Sequence, residues 1–205
     1  MLSELEISAL IEDPELLESL QILKKEFKEK EAPYLEISDH DFFCLILLMP
    51  NLQTALAKGQ VSLLEEMALQ KKARTVSKGG YFLKKDPVVY ALKFLIPAAD
   101  RWKERFFDII CTTMDRNFDI SRVQETSIAD SKMNTAGFDQ LVFNAPYLFV
   151  RFMQTFFWDE NYYIPDEKRE ISKIEFDRLV ETGNRLKLEK TLIFKKFLAN
   201  FIVNQ

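Results

Sequence analysis

The chain has 205 residues, enough for one domain or at most two small ones, and a compact fold of this size buries roughly 70% of the surface that its unfolded chain exposes. A composition of 47% hydrophobic and 29% charged residues with only five glycines excludes a disordered chain and argues against a turn-rich β-sandwich. The net charge of −4 and a pI near 5.3 are wrong for a dedicated nucleic-acid binder.

Helices are therefore the economical reading. Ser3 and Glu6 have capping-box spacing, in which the serine oxygen accepts from a free backbone N–H and the acid answers back, so a short helix is predicted there. It should stop before Asp13-Pro14. That pair is itself a start signal, an N-cap followed by proline, and it opens a helix with Leu16, Leu20, Leu23 and Phe27 on one face. Ala32-Pro33 breaks the pattern, and Ser38 with Asp41 restarts it for the apolar run Phe42 to Met49. Pro50 should end or kink that helix, and Gly59 suits a C-terminal cap. Ser62 with Glu65 is a second capping box, predicting a helix from about Leu63 to the mid-seventies.

Asp86-Pro87 predicts another helix start, with a break at Pro97. Beyond it Trp102, Phe106, Ile109, Ile110 and Met114 form a helical stripe. Residues 115–136 are polar and irregular and read as a connection that is partly helical, mobile or a lid. The following stretch, FDQLVFNAPYLFVRFMQTFFW at 138–158, is aromatic-rich and apolar around most of a helical circumference. Such a helix is a buried one, and the rest of the chain is expected to wrap around it. Residues 159–167 read as a linker, Ser172 with Glu175 predicts a helix ending near Gly183, and Ile193, Phe194, Phe197, Leu198, Phe201 and Ile202 predict a last amphipathic helix. The expected architecture is a single all-α domain over 1–205, a bundle of roughly seven to nine helices around the 138–158 segment.

Charge is distributed unevenly. Residues 1–41 hold twelve acids and four bases, a net of −8, whereas residues 71–85 hold six bases and no acid. That basic segment contains the only Gly-Gly pair. Its candidate anion-binding residues are Lys71, Lys72, Arg74, Lys78, Gly79, Gly80, Lys84 and Lys85, since a glycine turn lets backbone approach a phosphate while the cations supply charge. No GxxxxGK[ST] or GxGxxG accompanies them. The competing reading is a solvated helix end and loop.

A second candidate is the stripe Gln140, Asn144, Arg151 and Thr155 on the central helix, which could line a pocket where Arg151 holds the carboxylate of an apolar ligand. Its alternative is a surface stripe or a paired arginine. His40 is the only histidine and lies between Asp39 and Asp41, with Glu36 one turn earlier. Catalytic zinc and carboxylate-bridged iron sites recruit several histidines, so no metal site and no cofactor is expected, and His40 reads as a helix-start residue. Cys44 follows one turn later, but its apolar surroundings disfavour a thiolate and assign it to packing.

Cys44 and Cys111 together read as small buried hydrophobes in a reducing compartment. With no secretion signal at the N-terminus and no stretch suited to span a bilayer, the expectation is a soluble cytoplasmic protein. No stretch reproduces a nucleophile elbow. The leading functional expectation is a non-enzymatic interaction or self-association module whose acidic N-terminal helices dock on the basic turn of the same or a neighbouring chain. The alternatives are phosphate or nucleic-acid binding through 71–85, and binding of, or catalysis on, an apolar small molecule near Arg151.

Overall fold

The computed structural model describes residues 2–79, 85–118, 147–157 and 169–204. The expectations for Gly80, Lys84, Gln140, Asn144, residues 119–136, the 138–146 part of the aromatic stretch, Trp158 and the 159–167 linker lie outside the described residues. The chain is mostly helical, an all-α protein with a single two-stranded sheet among the described residues. It divides into two compact units, Leu2–Thr113 and Met114–Gln205. The division falls inside one long helix, where composition carries no boundary signal.

In the first unit, α1 (Glu4–Leu10) and α2 (Pro14–Glu31) begin at the predicted signals. The Ser3 capping box is formed at both ends, and Asp13 accepts from the N–H groups of Glu15 and Leu16. α3 (Asp39–Leu47) starts on Ser38 and is buried from His40 to its end, with α1, α2 and α5 (Leu63–Val76) packed against it. Pro50 separates α3 from α4 (Met49–Ala55), where its missing N–H falls among the free donors of a first turn. Gly59, at φ +92°, ends the 3₁₀ turn Leu56–Lys58 in the left-handed conformation that glycine adopts without strain.

α6 (Pro87–Asn117) departs from expectation by running through Pro97 without a break. Pro97 is exposed, while Leu92, Leu95, Ala99, Trp102 and Phe106 bury the opposite face. The lost backbone bond is therefore on the wet side, and packing of the dry side carries the helix across it. The helix also reaches Asn117, so the expected irregular connection begins later than residue 115.

The core of this unit is an aromatic cluster. Phe27 meets Phe42 at 5.7 Å and Trp102 edge-on at 5.2 Å, and Phe106 closes the group at 5.9 Å from Phe42. All four rings are essentially sealed from solvent. Trp102 places its indole N–H on Glu31 at 2.8 Å, which satisfies the one polar atom the ring brings inside.

In the second unit, the expected aromatic helix is seen as α7 (Tyr147–Phe157). Phe149, Phe152 and Phe156 are buried, and Phe118 packs on Phe149 at 5.8 Å and Phe152 at 5.1 Å. β1 (Arg169–Ser172) leads into α8 (Lys173–Arg185), then α9 (Leu192–Leu198) and β2 (Phe201–Asn204). The strands pair in parallel, with Arg169 opposite Phe201 and Ser172 opposite Asn204.

One expectation is corrected here. Phe201 and Ile202 lie in a strand instead of extending the last helix. α8 ends at Arg185, near Gly183 as expected, and that glycine is the flat seat on which the Phe194 ring rests.

Candidate functional site

α5 is the element on which charge and exposed apolar surface meet. Its Ser62 capping box is complete, and it buries Leu69, Ala73 and Val76 on one side. The other side faces water. There Leu63, Leu64 and Met67 are 73%, 78% and 59% exposed, and Lys71 and Arg74 continue the same three-to-four-residue stripe, also exposed. Lys78 and Lys85 are exposed beyond the helix, and Lys72 is half-buried. At about 1.5 Å per residue the apolar end and the basic end of this stripe are separated by roughly 15 Å.

The ends of the loop that follows α5 are fixed by acids. Asp41 Oδ1 accepts from the backbone N–H of Lys78 at 2.9 Å, and Asp86 accepts from the Ser77 hydroxyl at 2.6 Å while capping α6 through the N–H groups of Val88 and Val89. Gly79, at φ +49°, turns the chain directly after that anchor. The basic segment is thus rooted on the buried end of α3.

That root contains the lone histidine. His40 and Asp41 are buried, and Asp41 Oδ2 accepts from the Ser38 hydroxyl at 2.8 Å. Cys44, fully buried, donates its thiol to the Val76 carbonyl at 2.9 Å and lies 3.7 Å from His40 Nδ1. His40 Nδ1 is 3.5 Å from Asp41 Oδ1. Burial, reinforced by the negative charges of Asp41 and Asp86, pushes the Cys44 thiol well above its ordinary range. A thiol so held is not a nucleophile. Asp39, the other acid beside His40, turns instead to Lys24 and Gln21. Histidine and cysteine at i and i+4 signal a shared helix face, whereas nothing local announces that the Val76 carbonyl and the Lys78 amide arrive from more than thirty residues away.

The acids of α2 are partly spent within the unit. Glu26 receives two hydrogen bonds from the Arg105 guanidinium, each 2.8 Å, which hold its carboxyl down at about 2. Glu31 takes Arg101 at 2.7 Å together with the Trp102 N–H. Among the described residues these acids pair with α6. Glu4, Glu12, Glu15, Glu18, Glu29 and Glu36 remain exposed.

In the other unit, Thr155 is fully buried and returns its hydroxyl to the Arg151 carbonyl at 3.2 Å, so it offers a ligand little. Arg151 is half-buried on α7. No helix among the described residues is long and apolar enough to cross a membrane. By fold this is an all-α protein with an outward apolar-and-basic helix face and a buried His-Asp-Cys cluster. Comparison with family models, curated proteins and solved structures yields no match.

Proposed function

We propose that this chain is a non-enzymatic helical module that assembles with further copies of itself, the outward face of α5 in one copy receiving the acidic α1–α2 surface of the next. The observation that carries this reading is the exposure of Leu63, Leu64 and Met67 on the same face of α5 as Lys71 and Arg74. Three large apolar side chains clustered in water mark a contact surface, because covering each contributes up to about 1.5–3 kcal/mol.

The complement is on the same chain. α1 and α2 present Leu5 and Ile22, 81% and 54% exposed, among the exposed acids Glu4, Glu12 and Glu18. Two different surfaces meeting in this way make a heterologous contact, which propagates into a ring or an open chain of copies. The gain is of the same order as the entropy lost on association, so the assembly is weak and concentration-dependent. Cys44 and Cys111 are thiols and not a disulfide, in keeping with a reducing compartment such as the cytoplasm for this role.

Sedimentation velocity over a concentration series at low and high salt tests the proposal. Association that weakens with salt and disappears in Leu64→Asp supports it. A monomer under every condition refutes it, and so does a monomer that instead binds anionic vesicles or nucleic acid through the same face.

A further inference from the structure

The cluster at the start of α3 has a use beyond packing. His40, Asp41 and Cys44 are all buried, and one ligand atom from each lies within 4.8 Å of the other two. Tetrahedral zinc, bound at about 2.05 Å to nitrogen, 2.1 Å to oxygen and 2.3 Å to sulfur, sets its ligand atoms roughly 3.4–3.6 Å apart. The separations here are 3.5 Å from His40 Nδ1 to Asp41 Oδ1 and 3.7 Å from Nδ1 to Cys44 Sγ. The carboxylate and the sulfur lie within 4.8 Å of each other, so that pair must close by up to about 1.2 Å for the three donors to surround an ion.

The histidine itself sits deep in the fold, with only one of its ring nitrogens turned toward the cluster. His40 is only 6% exposed, and its Nε2 is buried without a hydrogen-bond partner among the described residues. A polar ring taken out of water at that cost is not held by a completed hydrogen-bond set. What organises it is the other nitrogen, which faces the carboxylate and the sulfur.

We infer that His40, Asp41 and Cys44 form a structural site for a thiophilic divalent cation of the zinc type. The donor set of imidazole, thiolate and carboxylate selects such an ion over magnesium or calcium, which take oxygen. Charge agrees with this choice: one dication, one thiolate and one carboxylate sum to zero, which suits a site closed to water. As the sulfur–metal bond forms, the thiol proton leaves to solvent and the Val76 carbonyl loses its donor. That oxygen, 2.9 Å from Sγ, is then a fourth donor at the edge of the site. The bound ion would tie α3 to the end of α5 and to the Lys78 anchor, fixing the foot of the basic segment. Entry is short, because Lys78 and Gly79 are already at the surface.

Cobalt titration of the reduced, chelator-stripped full chain tests this. The expected result is one equivalent bound, with tetrahedral d–d absorption and a thiolate-to-cobalt charge-transfer band, both bleached by zinc. Cys111→Ser should leave the spectrum unchanged, and Cys44→Ala should remove the charge-transfer band. If circular dichroism shows Cys44→Ala unfolded, His40→Gln serves in its place, with binding at least about tenfold weaker. Absence of the charge-transfer band in folded wild type overturns the inference, as does a band that follows Cys111 or survives Cys44→Ala or His40→Gln undiminished.

Discussion

Replacing Gly183 by alanine sets two effects of opposite sign against each other. In an exposed helix interior, alanine is worth about 1 kcal/mol over glycine. Gly183, however, is buried in α8 beneath Phe194, and a Cβ built on it would sit 1.9 Å from Cζ and 2.2 Å from Cε1 of that ring. Ordinary contact begins near 3.4 Å, so the ring would have to retreat by about 1.5 Å. It has little room. Phe194 is 1% exposed, and the Phe197 ring is stacked against it with centroids 6.2 Å apart. Overpacking costs about 1–3 kcal/mol; a ring with so little room to retreat falls in the upper half of that range, about 2–3 kcal/mol, which after the propensity gain leaves a net destabilisation of about 1–2 kcal/mol. In a chain of this length that lowers the melting temperature by roughly 2–8 °C. Thermal and urea denaturation followed by circular dichroism give the number. Phe194→Leu removes the colliding ring atoms, so the Gly183→Ala, Phe194→Leu pair should be less destabilised than the sum of its single changes by about 1 kcal/mol. A neutral or stabilising Gly183→Ala, or strict additivity with Phe194→Leu, would refute the packing argument.

Other outcomes follow from the first unit. Glu26, held at about 2 by Arg105 against an ordinary value of 4.5, contributes stability that is complete above about 4.5 and lost as pH falls toward 2. Urea midpoints measured across that window should fall with acidification, and Glu26→Gln should flatten the fall. Phe27→Ala opens the centre of the Phe42, Trp102 and Phe106 cluster and should cost about 3–5 kcal/mol. Equilibrium urea unfolding of that variant checks it, and a loss below 1 kcal/mol would mean that the cluster is not the core of the unit.

The parts of the fold legible in the chain were those decided within four residues. Ser3, Ser62 and Ser172 with their acids three positions on, and the Asp-Pro pairs at 13–14 and 86–87, mark helix starts because each cap is made by its own neighbours. What escaped was decided at a distance. Pro97 is an ordinary breaker by local rules, and only the burial of Trp102 and Phe106 across the helix overrules it. Phe201 and Ile202 fit a helical stripe equally well until Arg169–Ser172, more than thirty residues earlier, supply backbone partners. Gly183 marks the neighbourhood of a helix end by local rules, but its contact with the Phe194 ring is visible only in the fold. The candidate surfaces divide in the same way. The charge of residues 71–85 is plain from composition, but the apolar partners that give it meaning, Leu63, Leu64 and Met67, look like core positions of an amphipathic helix until their exposure is known. His40 and Cys44 share a face by spacing alone, while the carbonyl and amide that complete their surroundings come from the far end of α5.

The central claim is that unlike surfaces on two copies meet, and a mixing experiment addresses it directly. One variant carries Leu64→Asp and Met67→Asp on α5; the other carries Leu5→Asp and Ile22→Asp on α1 and α2. All four positions are exposed, so both variants should fold. Each should be monomeric alone, since each lacks one half of the contact. Mixed, they keep one intact pair of surfaces and should form a one-to-one complex that grows no further, seen as a single dimer boundary in sedimentation velocity. A mixture that sediments as monomer, or either variant associating on its own, would contradict the account.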